Sequence, residues 1–413
     1  MFYEKLAANH ETVLRFIREN WRTSFHEADG VLKHKFLDPA AGYRGQLWDW
    51  DSYFCALGLT DVFDDTADYA LGCVQNFADY MAPDGFVPYV ICAHPTESSR
   101  SVLPPADRSP RGADADYNAA KPLLAQMTEI ACKREVSVTE LVKIYAFLKA
   151  YIAHWENTQK AENGLFVWRS YRGSGTDNHP AIYGRPLNSS AGVELNCFMF
   201  KEYKAMENIA NRCGLHAEAA LYKEKAETLK DAVNAHMWDE IDGLYYHLDM
   251  LNQKPVRAKQ EVTWDVPLKF KCWTCFMPMW AGIAPKERAE RMVREHLLNE
   301  NEFWSDFGIR TLAKNEPMYS TTEMSNPSNW QGPIWIVSTY LVFKGVLNYG
   351  YTAEAQRIAE NLLDLLANDI QKNGVLHEYY NPETGDSTMS PGFMNWNALA
   401  GVMLPELEKE MKK

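Results

Sequence analysis

Nowhere in its 413 residues does the chain hold an uninterrupted apolar run of the eighteen or so residues that a bilayer-spanning helix requires, so no membrane span is expected. The opening stretch, MFYEKLAANHETVLRFIREN, carries charge throughout and lacks the apolar centre of a secretory signal. Basic residues are in short supply. Against 55 Asp and Glu stand 42 Lys and Arg, a net charge of −13, which argues against nucleic acid or an anionic membrane surface as partner. Cysteine is sparse, with Cys55, Cys73, Cys92, Cys132, Cys197, Cys213, Cys272 and Cys275 scattered through apolar segments as reduced buried thiols are. Disulfides are therefore not expected, and a cytoplasmic protein is. Cys272 and Cys275 have CxxC spacing, but neither a second such pair nor a pair of histidines follows. Core packing is the expectation for that pair, with metal or redox use the alternative. No metal and no cofactor are predicted.

Also missing are strand-like alternation, a repeat of fixed period and a linker separating halves of different composition. One domain over residues 1–413 is expected. Most of the chain instead has helical spacing. The pattern predicts helices over Phe2–Thr23, Trp50–Leu59, Ala67–Met81, Lys121–Ala131, Val138–Ala161, Ala191–Cys213, Leu215–Met237, Cys275–Ile283, Pro285–Leu298, Gly332–Tyr349, Ala353–Asn373 and Gly392–Lys412. Ser137 followed by Glu140 is a capping-box signal, and Asn373-Gly374 is a stop. Paired helices in this number suggest an α-solenoid or a closed ring of hairpins. The long segments Pro83–Asp116, Ser170–Ser190, Leu244–Lys271 and Phe303–Gln331 are rich in Gly, Pro, Asp, Trp and Tyr, and loops of that kind on a rigid frame carry sites.

Aromatic residues are plentiful, at 13% with 13 Trp and 21 Tyr, which suits both a core and a surface that stacks on sugar rings. Four segments concentrate them beside carboxylates. In Trp48-Asp49-Trp50-Asp51, Asp51 is either a helix N-cap or an acceptor for sugar hydroxyls beside a stacking indole. In Ser174-Gly175-Thr176-Asp177-Asn178-His179-Pro180, small residues let a partner approach Asp177, which otherwise is a turn residue. Asn329-Trp330-Gln331-Gly332-Pro333-Ile334-Trp335 places two indoles around a helix entry. His377-Glu378-Tyr379-Tyr380-Asn381-Pro382-Glu383-Thr384-Gly385, with Trp396 beyond it, sets Glu378 among aromatics just before a turn.

In that order, and spanning Tyr43 to Trp396, these four elements resemble the helical-toroid glycosidases of glycoside hydrolase family 63 and the related trehalases. The resemblance implies an all-α (α/α)6 toroid with an inner and an outer ring of helices. It implies that Asp177 is the general acid and Glu378 the general base of an inverting α-glycoside hydrolase, although one extra residue separates tyrosine from proline in the Glu378 turn. Gln331 stands where many relatives carry Arg, so mechanism transfers more safely than substrate. Candidate substrates are mannosylglycerate, glucosylglycerate or a neutral α-glucosyl disaccharide. An acidic aglycone needs a cation, and Arg44, Arg111, Arg172 and Arg185 lie in the loops.

The chemistry suits the residues. Glycoside hydrolysis takes one protonated carboxyl for the leaving oxygen and one carboxylate for water or direct attack. Indoles cover the C–H faces of a pyranose, and carboxylates and amides bind its hydroxyls. Trp48, Trp50, Asp51, Gln126, Trp330, Trp335 and Trp396 are thus expected to line the sugar pocket, with Tyr43 and Arg111 at its rim. His377 and its neighbouring tyrosines are expected to orient Glu378, with Glu383 and Glu194 the competing bases. Two other classes stay open: a sugar epimerase of the N-acylglucosamine type, working through histidines such as His179 and His377, and a non-catalytic carbohydrate-binding protein.

Overall fold

A computed structural model describes residues 2–96, 118–251, 265–322 and 328–412. Apart from the single helical turn Tyr171–Ser174, twelve α-helices among them alternate between two environments. Six form the inner ring: α2 (Asp49–Leu59), α4 (Leu124–Ala131), α6 (Val193–Arg212), α8 (Met277–Ala281), α10 (Ile336–Asn348) and α12 (Ala400–Met411). The other six are α1 (Phe2–Asn20), α3 (Thr66–Asp79), α5 (Val138–Thr158), α7 (His216–His236), α9 (Lys286–Arg291) and α11 (Thr352–Asn373). A short 3-10 turn, Trp273–Phe276, leads into α8, another, Asn395–Leu399, leads into α12, and a π-helical turn, Met292–Leu297, extends α9.

Sequence pattern explains the division. In α7 the buried residues Ala219, Tyr222, Ala226, Leu229 and Val233 recur every three or four positions, a single apolar stripe on an otherwise charged helix. In α2 and α10 almost every residue is buried, which only an inner helix can satisfy. Packing then closes the ring. Helix α2 contacts α4, α4 contacts α6, α6 contacts α8, α8 contacts α10, and α10 and the turn into α12 bring the circuit back to α2. Outer helices lean on it from outside: α3 on α4, α7 on α6, α11 on α10 and α12. This is the (α/α)6 toroid, and one apolar cluster runs through both rings.

Local signals hold at several ends. Ser137 Oγ accepts the Glu140 N–H at 3.2 Å at the start of α5, and Gly374, at φ 69°, ends α11. Helix α4 has no cap of its own. Glu202, fully buried on α6, accepts the N–H groups of Ala125 and Gln126 at 2.7 and 3.2 Å instead. Short antiparallel pairs tie the segments before the inner helices together, Gln46–Trp48 with Val90–Cys92 and Ile334–Trp335 with Tyr379–Tyr380. Those segments, which carry the suspect motifs, meet at the end of the ring where the inner helices begin. No helix among the described residues is long and apolar enough to cross a membrane.

Candidate active site

At that end lies a cavity of about 340 Å³, within the size range of small-ligand sites. Its walls come from the segments preceding inner helices: Tyr43, Trp48, Trp50 and Asp51 before and at the start of α2, Lys121 before α4, Tyr171, Arg172, Gly175, Asp177 and Tyr183 before α6, Ser328, Trp330 and Trp335 before α10, and Glu378, Phe393 and Trp396 before α12. The positive ends of the inner helices' dipoles point the same way, which favours gathering carboxylates there.

Indoles form the floor. Trp330 and Trp335 stack at 3.9 Å and 12°, Tyr379 continues the stack 4.9 Å beyond Trp335, and Trp50 meets Trp330 at 5.9 Å and Trp396 at 5.3 Å. Trp48 stands at the rim with Tyr43 and Tyr89. Gly175, at φ 78°, is the point where the Asp177 loop touches this floor. A Cβ there would come within 2.6 Å of the Trp50 ring.

Three carboxylates reach the cavity. Asp51 is not the helix cap, a place taken by Trp48; Asp49 supplies the first-turn acceptor and binds the Lys121 ammonium at 3.1 Å. Asp51 instead takes a hydrogen bond from Asn395, which opens the 3-10 turn packed against α2. Burial drives its carboxyl up to about 8, against the pull of Lys121 and of that hydrogen bond. Glu378 is raised to about 7, chiefly by burial and further by the charge of Asp177, while a hydrogen bond from Ser390 opposes the rise. Glu378 is only 6% exposed, a drier setting than an ionised carboxylate ordinarily has.

Backbone strain concentrates around these groups. Non-glycine residues at positive φ include Ala40 and Ala41 just before Tyr43, Met389 and Ser390 opposite Glu378, and Asn395 beside Asp51. Residues held in such conformations cost energy and cluster at working sites.

Gln126 is not at this cavity. Its side chain is turned toward Glu202 and the carbonyls of Pro122 and Phe198, and it borders a different cavity with Tyr53, Lys201 and Lys204. Arg111 lies outside the described residues. His377 and Tyr380 do not orient Glu378; both bind Asp369, at 2.9 and 2.8 Å. Glu383, a competing base, is held outside the cavity by Arg310, Lys314 and Tyr319, and burial notwithstanding, those partners lower it to about 2. Glu194 is buried against His247 and Trp168, away from the cavity. His179 is also buried, 3.3 Å from Thr274 Oγ1, so neither suspect histidine lines the cavity. Cys272 and Cys275 are buried free thiols, with Cys272 Sγ 3.1 Å from His179 Nε2. Among the described residues no three His, Cys, Asp or Glu side chains are grouped to hold a metal.

Lys121, Tyr89, Tyr171, Tyr183, Ser328 and Phe393 also line the cavity and were not expected there, whereas Arg172, one of the four candidate loop arginines, is in its wall. Lys121 had a signal, a single lysine in the otherwise apolar run before α4.

Residues 44–396 match the model of the mannosylglycerate hydrolase MGH1-like glycoside hydrolase domain. The chain belongs to this family. It is 31% identical to the mannosylglycerate hydrolase MGH1 of Selaginella moellendorffii over 87% of this chain and 80% of that one. It is 25% identical to the mannosylglycerate hydrolase of Thermus thermophilus, covering 88% of this chain and 95% of that protein. The crystal structure of a GH63 mannosylglycerate hydrolase from another strain of Thermus thermophilus, in complex with glucose, superposes with a TM-score of 0.70 at 21% identity, over 96% of this chain and 99% of that one. The protein is a glycoside hydrolase on the (α/α)6 toroid, and the epimerase and binding-protein readings are set aside.

Proposed function

We propose that this hydrolase cleaves, with inversion, the α-glycosidic bond of a small mannoside or glucoside whose aglycone carries a carboxylate. The observation that carries the reading is the meeting of Asp177 and Glu378 in one indole-floored cavity with Arg172 in its wall. In this reading Asp177 gives its proton to the glycosidic oxygen as the C1–O bond breaks. Water adds to C1 from the opposite face and its proton passes to Glu378, so the sugar leaves with inverted configuration. A Glu378 carboxyl near 7 suits a general base working close to neutral pH, since a base is most effective with its pKa near the operating pH.

Charge supports the acidic aglycone. Of the loop arginines that can be placed, Arg44 donates to the Thr23 carbonyl and Arg185 pairs with Asp249 at 2.8 Å. Arg172 sits on the turn Tyr171–Ser174 beside Asp177, its Nε 3.2 Å from the Tyr171 hydroxyl, and lines the cavity. A guanidinium in the same cavity wall as the proton donor offers paired donors to a carboxylate such as that of glycerate. Two relatives named mannosylglycerate hydrolase point the same way.

The test is direct. Mannosylglycerate, glucosylglycerate and trehalose are incubated separately with the protein while NMR follows the first anomer released. The expected result is a β-sugar released first from a glycerate glycoside, and little turnover of trehalose. An α-sugar appearing first would replace the inverting scheme by a covalent one. Preference for trehalose would remove the role given to Arg172.

A further inference from the structure

Asp177 sits in a loop with no regular secondary structure, two residues after a glycine, which is a poor way to hold a proton donor unless something else fixes it. The neighbouring residue is anchored on three sides. Asn178 Nδ2 donates to Asn329 Oδ1 at 3.0 Å, its Oδ1 accepts the Trp330 N–H at 2.7 Å, and its backbone carbonyl accepts Gln331 Nε2 at 2.9 Å. Asn329 is fastened in turn: its Oδ1 also takes the Gln331 N–H at 3.0 Å, its Nδ2 donates to the Ser320 carbonyl at 2.9 Å, and its own carbonyl accepts Trp335 Nε1 at 2.8 Å. All three amide side chains are buried, at 5%, 0% and 9% exposure for Asn178, Asn329 and Gln331. The clasp therefore joins the Asp177 loop to the two stacked indoles of the cavity floor, and none of its three amides lines the cavity itself.

We infer that Asn178, Asn329 and Gln331 form a buried clasp that positions Asp177 against the sugar bound on Trp330 and Trp335, with Asn178 the positioning residue. Buried amides with every partner in place have one stable arrangement, because leaving any of them unpaired is costly. A loop free to shift by an ångström would lose the line between the carboxyl and the glycosidic oxygen, a displacement that can cost about a hundredfold in rate. This inference rests on Asp177 being the general acid.

Its test uses the leaving group. An alkoxide needs a proton to depart, whereas fluoride, the anion of a much stronger acid, does not. Wild type, Asn178→Ala, Gln331→Met and Asp177→Asn are each assayed on whichever α-mannoside or α-glucoside the wild type hydrolyses and on the matching α-glycosyl fluoride. Asn178→Ala and Gln331→Met should lower kcat on the alkyl glycoside by about 10- to 100-fold. KM and the turnover of the fluoride should stay within about threefold of wild type. Gln331→Met is nearly isosteric and removes one donor, so it tests the clasp even if Asn178→Ala fails to fold. Equal losses on both substrates in a folded variant, or no loss on either, would overturn the inference. If Asp177→Asn itself shows no preference for the fluoride, it is the assignment of the acid that fails, and the two failures are told apart.

Discussion

Asp177 and Glu378 face one cavity from segments 201 residues apart, and each should be indispensable in its own way. General acid or base assistance contributes typically 10²- to 10⁴-fold, so Asp177→Asn and Glu378→Gln should each lower kcat by about that much while the fold survives. Steady-state kinetics with a circular-dichroism check measures both. The pH profile carries a sign. The proposed role of Glu378 as base requires it to be ionised, and burial with the charge of Asp177 lifts it to about 7. The acid limb of kcat/KM should therefore bend near pH 7 rather than near 4.5, and a bend at the ordinary carboxylate value would mean another group is the base. At this scale the sequence was informative about residues that stand in motifs and poor on those whose facing a fold decides. Trp50, Trp330, Trp335 and Trp396 are at the cavity, since indoles beside carboxylates in loops have few other reasons to be there. Gln126 is one turn into a short helix with both faces buried, and nothing in its neighbours announces which face meets Glu202. Lys121 was missed for the converse reason: its partner Asp49 lies 72 residues away.

Among elements, the inner helices were legible in number and place, but their starts were not. Expected entries at Lys121, Gly332 and Gly392 became helices from Leu124, Ile336 and Ala400. In each case the residues before the helix were drawn off by partners far away in sequence: Lys121 by Asp49, Ile334–Trp335 by strand pairing with Tyr379–Tyr380, and Asn395 by Asp51. Helical spacing continues through such residues, so only tertiary contacts mark the boundary. Two substitutions test elements directly. Gly175→Ala puts a Cβ at a positive φ and against Trp50, and should cost at least about 1–2 kcal/mol in stability. Because it displaces the indole and the Asp177 loop together, it should also raise KM and lower kcat. Glu202→Ala leaves the Ala125 and Gln126 N–H groups buried without acceptors, at about 1–3 kcal/mol for a buried unsatisfied group. Thermal unfolding should show a clear loss for Glu202→Ala and a smaller one for Glu202→Gln, which keeps an acceptor oxygen.

Across the whole molecule, carboxylates divide into two sets whose effects on stability oppose each other. Glu194, Glu302 and Glu383 are each lowered to about 2, their partners His247, His296 with Lys271, and Lys314 with Arg310 overcoming burial. The native state binds fewer protons than the unfolded chain between about pH 2 and 4.5 at these sites, so the stability they confer is complete above 4.5 and is lost as pH falls toward 2. Asp51, Glu202 and Glu378 are raised by burial to about 8, 8 and 7. There the native state holds extra protons from about pH 4 up to 7 or 8, and stability falls as pH rises through that window. The melting temperature should accordingly peak near about pH 4–5 and decline toward pH 8, the range in which the proposed base Glu378 ionises. Two members of the declining set line the cavity, so the decline is in large part the energetic cost of the site. Glu378→Gln and Asp51→Asn, which cannot ionise, should each flatten the fall between about pH 5 and 8 and leave the acid side of the curve alone. Differential scanning calorimetry across about pH 3–8 decides it: a wild-type curve still rising from pH 5 to 8, or neutral variants that follow it without flattening, would show that the buried carboxylates do not set the protein's stability at its working pH.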